Sequence, residues 1–344
     1  MMDTTRLIKP ARFLLLLLAV EFLILNSTIG NASTVSKQHF SGPTSDVVSG
    51  QYVWVTNLSG NSVAEISTTT GRFIGSIHTR EENFRQPQVV AAFGRHVWIT
   101  NPGGNAVTEL DATNGSMIRN IDSHSIRFHV PVGIAVDKSF VWVTNISGSD
   151  SSVTQLNADN GDFIRVIKGK SDMLDEPKSV VSDGTYIWVT SSQNDSVSEF
   201  NTSTGVLMRV LKSARYGFNN PTSIAVSATR VWVTNYYGNS ITEFDASTGR
   251  LVQIIKAAKD KFVQPDGIAI GGNRVWITNF NGNSITELDA STGSLVQIIK
   301  AAKDKFVQPD GITIGGNRVW ITNFNGNSIT ELKSGNGGLV RVIR

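Results

Sequence analysis

The chain has 344 residues, of which 40% are apolar, a formal net charge of +3 and no cysteine. A single hydrophobic core rarely extends beyond about 250–300 residues, so this length predicts two domains or one domain built from repeats. The nearly balanced charge gives no reason to expect a nucleic-acid partner, and none is predicted. The lack of cysteine excludes disulfides, thiolate catalysis and cysteine-ligated metal sites.

The N-terminus has the layout of a secretory signal peptide. Three basic residues precede an apolar run from Phe13 to Leu25, and Gly30 and Ala32 occupy the small-residue positions of a cleavage site. This run is too short to span a bilayer as a helix. We predict a signal peptide at residues 1–32, an N-terminal extension at 33–39 and a protein that is secreted, periplasmic or at the cell surface. An uncleaved N-terminal anchor is the alternative; after cleavage no membrane span is expected.

Residues 40–344 are a repeat of about 44 residues. Two copies, Leu251–Leu288 and Leu295–Leu332, differ only where Ala269 is replaced by Thr313. Each unit has one tryptophan, with a proline eleven residues before it. The tryptophans are Trp54, Trp98, Trp142, Trp188, Trp232, Trp276 and Trp320, and the prolines are Pro43, Pro87, Pro131, Pro177, Pro221, Pro265 and Pro309.

Each unit contains four short runs rich in β-branched and aromatic residues, separated by turn residues such as those at 279–284 and 289–293. This pattern and period are typical of one propeller blade. We therefore predict an all-β, seven-bladed propeller of four-stranded antiparallel blades, closed by packing of the first blade against the last. The tryptophans are expected in the blade interfaces rather than as sugar-stacking groups.

One face of the predicted ring carries the loops between strands two and three together with the loops between blades, and it is the expected binding face. Its later blades combine aromatic side chains with lysines, a composition suited to a protein or an anionic glycan. Asp266 and Asp310 are expected at the mouth of the central axis, where duplication explains them as well as function does. The predicted binding residues are Tyr236, Tyr237, Phe280, Phe324, Lys259, Lys261, Lys303, Lys305, Asp266 and Asp310.

No catalytic constellation is evident. The five histidines all lie at or before His129, and the sequence has no phosphate loop, nucleophile elbow or calcium loop. Six of the seven third strands carry one glutamate, most simply explained by cross-strand pairing. On the opposite face, Arg230, Arg274 and Arg318 recur two residues before tryptophans, either as a basic arc or as ordinary surface positions. No catalytic residue, metal site or cofactor is predicted.

The units resemble the YVTN and NHL repeats of bacterial propellers and the virginiamycin B (streptogramin) lyase group. The resemblance is carried by Pro-Asp-Gly-Ile-Ala at 265–269, Val-Trp-Ile-Thr-Asn at 275–279 and Asn-Ser-Ile-Thr-Glu-Leu-Asp at 283–289. The lyase group implies magnesium-dependent ring opening with a catalytic histidine in a later blade, which this chain lacks. Gluconolactonase-like propellers imply an axial calcium, for which only Asp266 and Asp310 are candidates.

Three functions remain open from the sequence. The preferred one is a non-catalytic binding or interaction module at the cell envelope, expected to be a monomer, with a protein or anionic glycan as its ligand. The second is a magnesium- or calcium-dependent lyase or lactone hydrolase that acts in the axial channel. The third is a structural surface repeat protein.

Overall fold

A computed structural model describes residues 39–78, 84–122, 126, 128–169, 173–212, 214–256, 262–300 and 306–344. The predicted signal peptide, and the predicted extension apart from His39, lie outside the described residues. Within the described residues, 28 strands form seven four-stranded sheets, each made of consecutive antiparallel strands. The prediction of an all-β, seven-bladed propeller is confirmed.

The strands of the first four blades follow the chain in order. They are β1 (Pro43–Ser49), β2 (Tyr52–Asn57), β3 (Ser62–Ser67), β4 (Phe73–Ile77), β5 (Val90–Phe93), β6 (His96–Asn101), β7 (Ala106–Asp111), β8 (Met117–Asp122), β9 (Pro131–Val136), β10 (Phe140–Asn145), β11 (Ser152–Asn157), β12 (Phe163–Lys168), β13 (Pro177–Ser182), β14 (Tyr186–Ser191), β15 (Ser196–Asn201) and β16 (Leu207–Leu211).

The last three blades repeat the same plan. Their strands are β17 (Pro221–Val226), β18 (Arg230–Asn235), β19 (Ser240–Asp245), β20 (Leu251–Lys256), β21 (Pro265–Gly271), β22 (Arg274–Asn279), β23 (Ser284–Asp289), β24 (Leu295–Lys300), β25 (Pro309–Gly315), β26 (Arg318–Asn323), β27 (Ser328–Lys333) and β28 (Leu339–Ile343). Three short 3-10 helices among the described residues occupy loops: Pro102–Gly104, Gly148–Asp150 and Ala214–Tyr216. No described helix is long and apolar enough to cross a membrane.

The tryptophans form the core between blades, as predicted. Each is fully buried and packs against the two aliphatic residues that flank the tryptophan of the next blade, as Trp232 does against Val275 and Ile277. Trp320 makes the same contact with Val53 and Val55 of the first blade. Such burial contributes about 2–3 kcal/mol per indole. Within the described part of the chain, six of the seven indole N–H groups have no hydrogen-bond partner, so these indoles stabilise the ring by packing.

A threonine in each second strand links neighbouring blades. Its hydroxyl donates to a carbonyl in the segment that begins the next blade, at 2.8–3.5 Å. The seventh of these bonds runs from Thr322 in the last blade to the carbonyl of Thr44 in the first. The ring therefore closes through contacts of the same kind as those between its other blades. No described blade combines strands from the two ends of the chain.

Candidate ligand-binding face

The loops between second and third strands lie against the loops that enter the same blades. The backbone N–H of Phe280 donates to the carbonyl of Gln264 at 3.0 Å, and that of Phe324 donates to Gln308 at 2.9 Å. The side chain of Asn283, which adopts a left-handed backbone conformation with φ of 46°, accepts a 2.8 Å bond from the N–H of Gln308 in the next blade. Asparagine tolerates this conformation well. These bonds hold both kinds of loop on one face and fix their geometry.

Four aromatic side chains form a continuous row across blades 5 to 7, which we call the aromatic arc: Tyr236, Tyr237, Phe280 and Phe324. The ring centroids are 5.2 Å apart between Tyr236 and Tyr237 and 6.4 Å apart in the two steps from Tyr236 to Phe280 and on to Phe324. Tyr236 is buried, the two phenylalanines are half-buried and Tyr237 is 47% exposed. The structure thus brings together the four aromatic residues singled out from the sequence.

Beside the arc, four amide side chains form a hydrogen-bonded row, which we call the amide ladder: Gln264, Asn281, Gln308 and Asn325. Asn325 donates to Gln308 at 2.5 Å, Gln308 donates to Asn281 at 3.4 Å, and Asn281 donates to Gln264. All three bonds are exposed to solvent. The sequence reasoning missed the ladder, although its signal was present, since both Gln-Pro and Phe-Asn pairs recur in the duplicated units.

Three aspartates lie on the innermost strands of consecutive blades around the ring. Asp266 and Asp310 follow the first prolines of β21 and β25, and Asp266 is 8% exposed. Asp46 in β1 is 6% exposed, and neither of its carboxylate oxygens has a hydrogen-bond partner among the described residues. Burial raises the pKa of Asp46 well above its ordinary value, and the charge of Asp310 raises that pKa further. Asp46 was not singled out from the sequence.

The alignment of the first strands shows why Asp46 is unusual. The same position in the other six blades holds an aliphatic residue: Val90, Ile134, Val180, Ile224, Ile268 and Ile312. Val90 packs in one cluster with Trp54 of the preceding blade. Asp46 therefore places a carboxyl group where the repeat elsewhere places apolar surface, at the interface between the last blade and the first.

The lysines predicted for this face, Lys259, Lys261, Lys303 and Lys305, lie outside the described residues. Their contribution to binding stays a prediction. The described residues contain no group of three or more histidine, aspartate or glutamate side chains arranged to hold a metal ion. Among these residues, Asp46 and Asp310 are thus not part of such a group.

On the opposite face, the repeated arginines are partners of the repeated glutamates. The Nε atoms of Arg230, Arg274 and Arg318 lie 2.7–3.1 Å from carboxylate oxygens of Glu243, Glu287 and Glu331 in the adjacent strands. The sequence left two interpretations for these arginines, a basic arc or ordinary surface positions. The structure does not support a basic arc, because each arginine forms an ion pair with a glutamate of its own blade. His96 takes the arginine position in blade 2 and bonds Glu109.

A shallow cleft of about 470 Å³ opens beside His96 between blades 2 and 3, lined partly by Phe93, Lys138 and Phe140. The His96–Glu109 pair could suggest an acid–base dyad. Arg119 also lies 2.7 Å from Glu109. In blades 5 to 7 the position of His96 holds an arginine that pairs with the glutamate of the adjacent strand. The pair is therefore explained by the repeat, and the cleft is not the candidate site.

Comparison with known proteins identifies the fold. No protein-family model and no curated protein sequence matches the chain. A streptogramin B lyase structure is 20% identical with a TM-score of 0.70, covering 85% of this chain and 93% of that one. A catalytically inactive virginiamycin B lyase from Staphylococcus aureus, solved with quinupristin, is 19% identical with a TM-score of 0.72, covering 86% and 96%.

The same fold occurs in a protein of another activity. The hydrazine synthase of Kuenenia stuttgartiensis is 16% identical with a TM-score of 0.71, covering 89% of this chain and 99% of that one. At these identities the similarity establishes architecture, and activity has to be argued from the site. The chain is a seven-bladed propeller similar to those of the virginiamycin B lyases.

Proposed function

We propose that this protein is an exported, non-catalytic propeller that binds a ligand or a protein partner at the cell envelope through the face that carries the aromatic arc. The observation that carries the proposal is the arc itself. Four aromatic rings in adjacent blades follow one another at 5.2–6.4 Å on loops that are hydrogen-bonded to each other. Rigid aromatic groups with nearby polar side chains are favourable for recognition, because little conformational entropy is lost on binding.

The alternative of a metal-dependent lyase or lactone hydrolase is supported by the similarity to streptogramin B lyase structures and by the buried carboxylate of Asp46. The described residues do not assemble a set of metal ligands at that point. The sequence also has no histidine after His129. The binding proposal is therefore the better supported.

The test compares three proteins against an envelope extract of the producing organism, divided into a protein fraction and a protease-treated carbohydrate fraction. The variant Tyr237→Ala/Phe324→Ala removes two rings of the arc. The control Phe163→Ala removes a side chain that is 50% exposed on the outer strand of blade 3. We expect retention of at least one envelope component by the wild type and the control, and its loss in the arc variant.

Equal retention by all three proteins would show that this face does not bind, and would overturn the proposal. Export is tested separately by N-terminal sequencing of the protein recovered outside the cytoplasm. A mature N-terminus near residue 33 is expected. A protein found only in the cytoplasm would contradict the envelope location.

A further inference from the structure

The amide ladder beside the aromatic arc consists of neutral side chains, and its bonds to other described residues use only part of its hydrogen-bonding capacity. A carboxamide has two N–H donors and two acceptor sites on its oxygen. The amide ladder uses one N–H each of Asn281, Gln308 and Asn325, and these bonds lie at the surface. Because the ladder bonds orient the amide planes, the remaining donors and acceptors are held ready for a ligand.

The arc and the ladder together match one chemical pattern. A pyranose ring has a face of C–H groups that packs on aromatic rings, and an equatorial rim of hydroxyls that both donate and accept hydrogen bonds. The arc offers ring surfaces, and the ladder offers neutral groups of both hydrogen-bonding types. None of these eight side chains carries a charge at neutral pH, so a ligand that contacts them alone needs no charge of its own.

The surface is also duplicated. Gln264, Phe280 and Asn281 recur as Gln308, Phe324 and Asn325. The two segments that contain them differ at one position only, Ala269 and Thr313. The rings of Phe280 and Phe324 are 6.4 Å apart, and one ladder bond joins the two copies, from Gln308 to Asn281. Two equal subsites in a row suit a ligand whose own structure repeats.

We propose that the aromatic arc and the amide ladder bind a linear, uncharged polysaccharide. This inference rests on the proposed function and specifies its ligand class. Consecutive sugar units lie along blades 6 and 7, with Phe280 and Phe324 under their C–H faces and the amides bonded to their hydroxyls. Tyr237, the most exposed ring of the arc, extends the platform toward blade 5.

The experiment uses isothermal titration of the whole mature protein with linear oligosaccharides of glucose, mannose, xylose and N-acetylglucosamine, from three to six units long. Oligogalacturonate of the same lengths is the anionic comparison. We expect one neutral series to bind, with affinity rising at least tenfold from three to six units because the longer chain reaches both subsites. Asn325→Ala is expected to abolish this rise, because it removes an amide of one of the two subsites.

Asn281→Ala, which removes the link between the two copies, is expected to weaken hexasaccharide binding about fivefold to tenfold. Asn201→Ala, at the end of β15 on the opposite face, is the control and should leave hexasaccharide binding unchanged. Thermal melting of each variant excludes unfolding as the cause.

Three results would overturn this inference. The first is a lack of binding by every neutral series, and the second is neutral binding that is insensitive to Asn281→Ala, Asn325→Ala and Tyr237→Ala. The third is salt-sensitive binding of oligogalacturonate alone, which would preserve the proposed function and favour the lysine-containing loops. If an envelope protein is retained through the arc and no glycan binds, the proposed function holds and the polysaccharide inference fails.

Discussion

The backbone N–H of Gly42 donates to the Oδ1 atom of Asn327 at 2.8 Å, joining positions 285 residues apart in the sequence. The same bond, from the residue before a blade's first proline to an asparagine of the preceding blade, occurs between Gln308 and Asn283 at 2.8 Å. The closing interface thus uses the hydrogen bonds of an ordinary one. Closure therefore needs no strand shared between the two ends of the chain.

The equivalence of these bonds can be measured with Asn327→Gly and Asn283→Gly. Glycine keeps the left-handed backbone conformation at both sites and removes only the accepting side chain. Each substitution is expected to lower the free energy of unfolding by about 1 kcal/mol, and the two losses should agree within about 0.5 kcal/mol. Urea unfolding monitored by tryptophan fluorescence gives both values. A several-fold larger loss for Asn327→Gly would refute equivalence.

The inter-blade threonines make a second prediction. The hydroxyl of Thr278 accepts a bond from the N–H of Gly267 at 2.7 Å and donates to the carbonyl of Asp310 at 2.8 Å. Thr278→Val keeps the shape but removes both hydrogen bonds, at an expected cost of about 1–3 kcal/mol in unfolding free energy. Thr278→Ser retains the hydroxyl and should lose less than half as much. Equal losses for the two variants would contradict this prediction, because they would show that the methyl group contributes as much as the hydroxyl.

Asp46→Val is expected to stabilise the protein. The substitution supplies the kind of aliphatic side chain found at this position in the other blades. It also removes a buried carboxyl group that has no hydrogen-bond partner in the described part of the chain. Because the pKa of Asp46 is raised in the folded state, wild-type stability falls as the pH rises above the ordinary value of 3.8. The gain should therefore be about 2 kcal/mol at pH 8 and smaller at pH 4.

The reciprocal variant, Val90→Asp, places a carboxyl group at the same position in blade 2. It should destabilise the protein at pH 8 by a similar amount or more. Thermal melts at the two pH values measure both effects. If Asp46→Val destabilises the protein at pH 8, the buried carboxylate has a stabilising partner, such as a bound cation, which the described contacts do not include.

Glu199 gives a prediction with a defined pH window. Burial raises its pKa from 4.5 to about 7, while Arg209, whose Nε is 2.5 Å away, acts in the opposite direction. A raised folded-state pKa means that stability is fully present below about 4.5 and is lost as the pH rises toward 7. The shift corresponds to roughly 3 kcal/mol. Glu199→Gln should remove this loss, giving a gain of about 1–3 kcal/mol at pH 8 and little change at pH 4.5.

The chain contains its own precedent for that substitution. Gln155 occupies the equivalent position in blade 3 and donates to the carbonyl of Thr202 at 2.8 Å. Glu243→Gln is the matched control, since Arg230 and Gln253 both bond the Glu243 carboxylate, and its gain at pH 8 should be smaller. Urea unfolding at pH 4.5 and pH 8 measures both gains in unfolding free energy. If the gain for Glu199→Gln is the same at both pH values, titration of Glu199 is not its cause.

The fold could be predicted from the sequence because the same tryptophan, proline and turn residues recur in each blade. The Trp232 contact with Val275 and Ile277 follows directly from that periodicity. The amide ladder was harder to predict, since the bond from Gln308 to Asn281 depends on how far one blade is rotated from the next. Asp46 could not be predicted from the repeat pattern, because the repeat has an aliphatic residue at this position in the other six blades.

The near-identity of residues 251–288 and 295–332 has a consequence for the gene. Unequal crossing-over between the two copies would delete or insert one 44-residue unit in frame, and every junction between adjacent units would keep its present sequence. The only geometric adjustment required would be the angle between neighbours. The number of sectors in this ring is thus open to change by a single recombination event, and each such event would also remove or add one copy of the paired phenylalanine and asparagine.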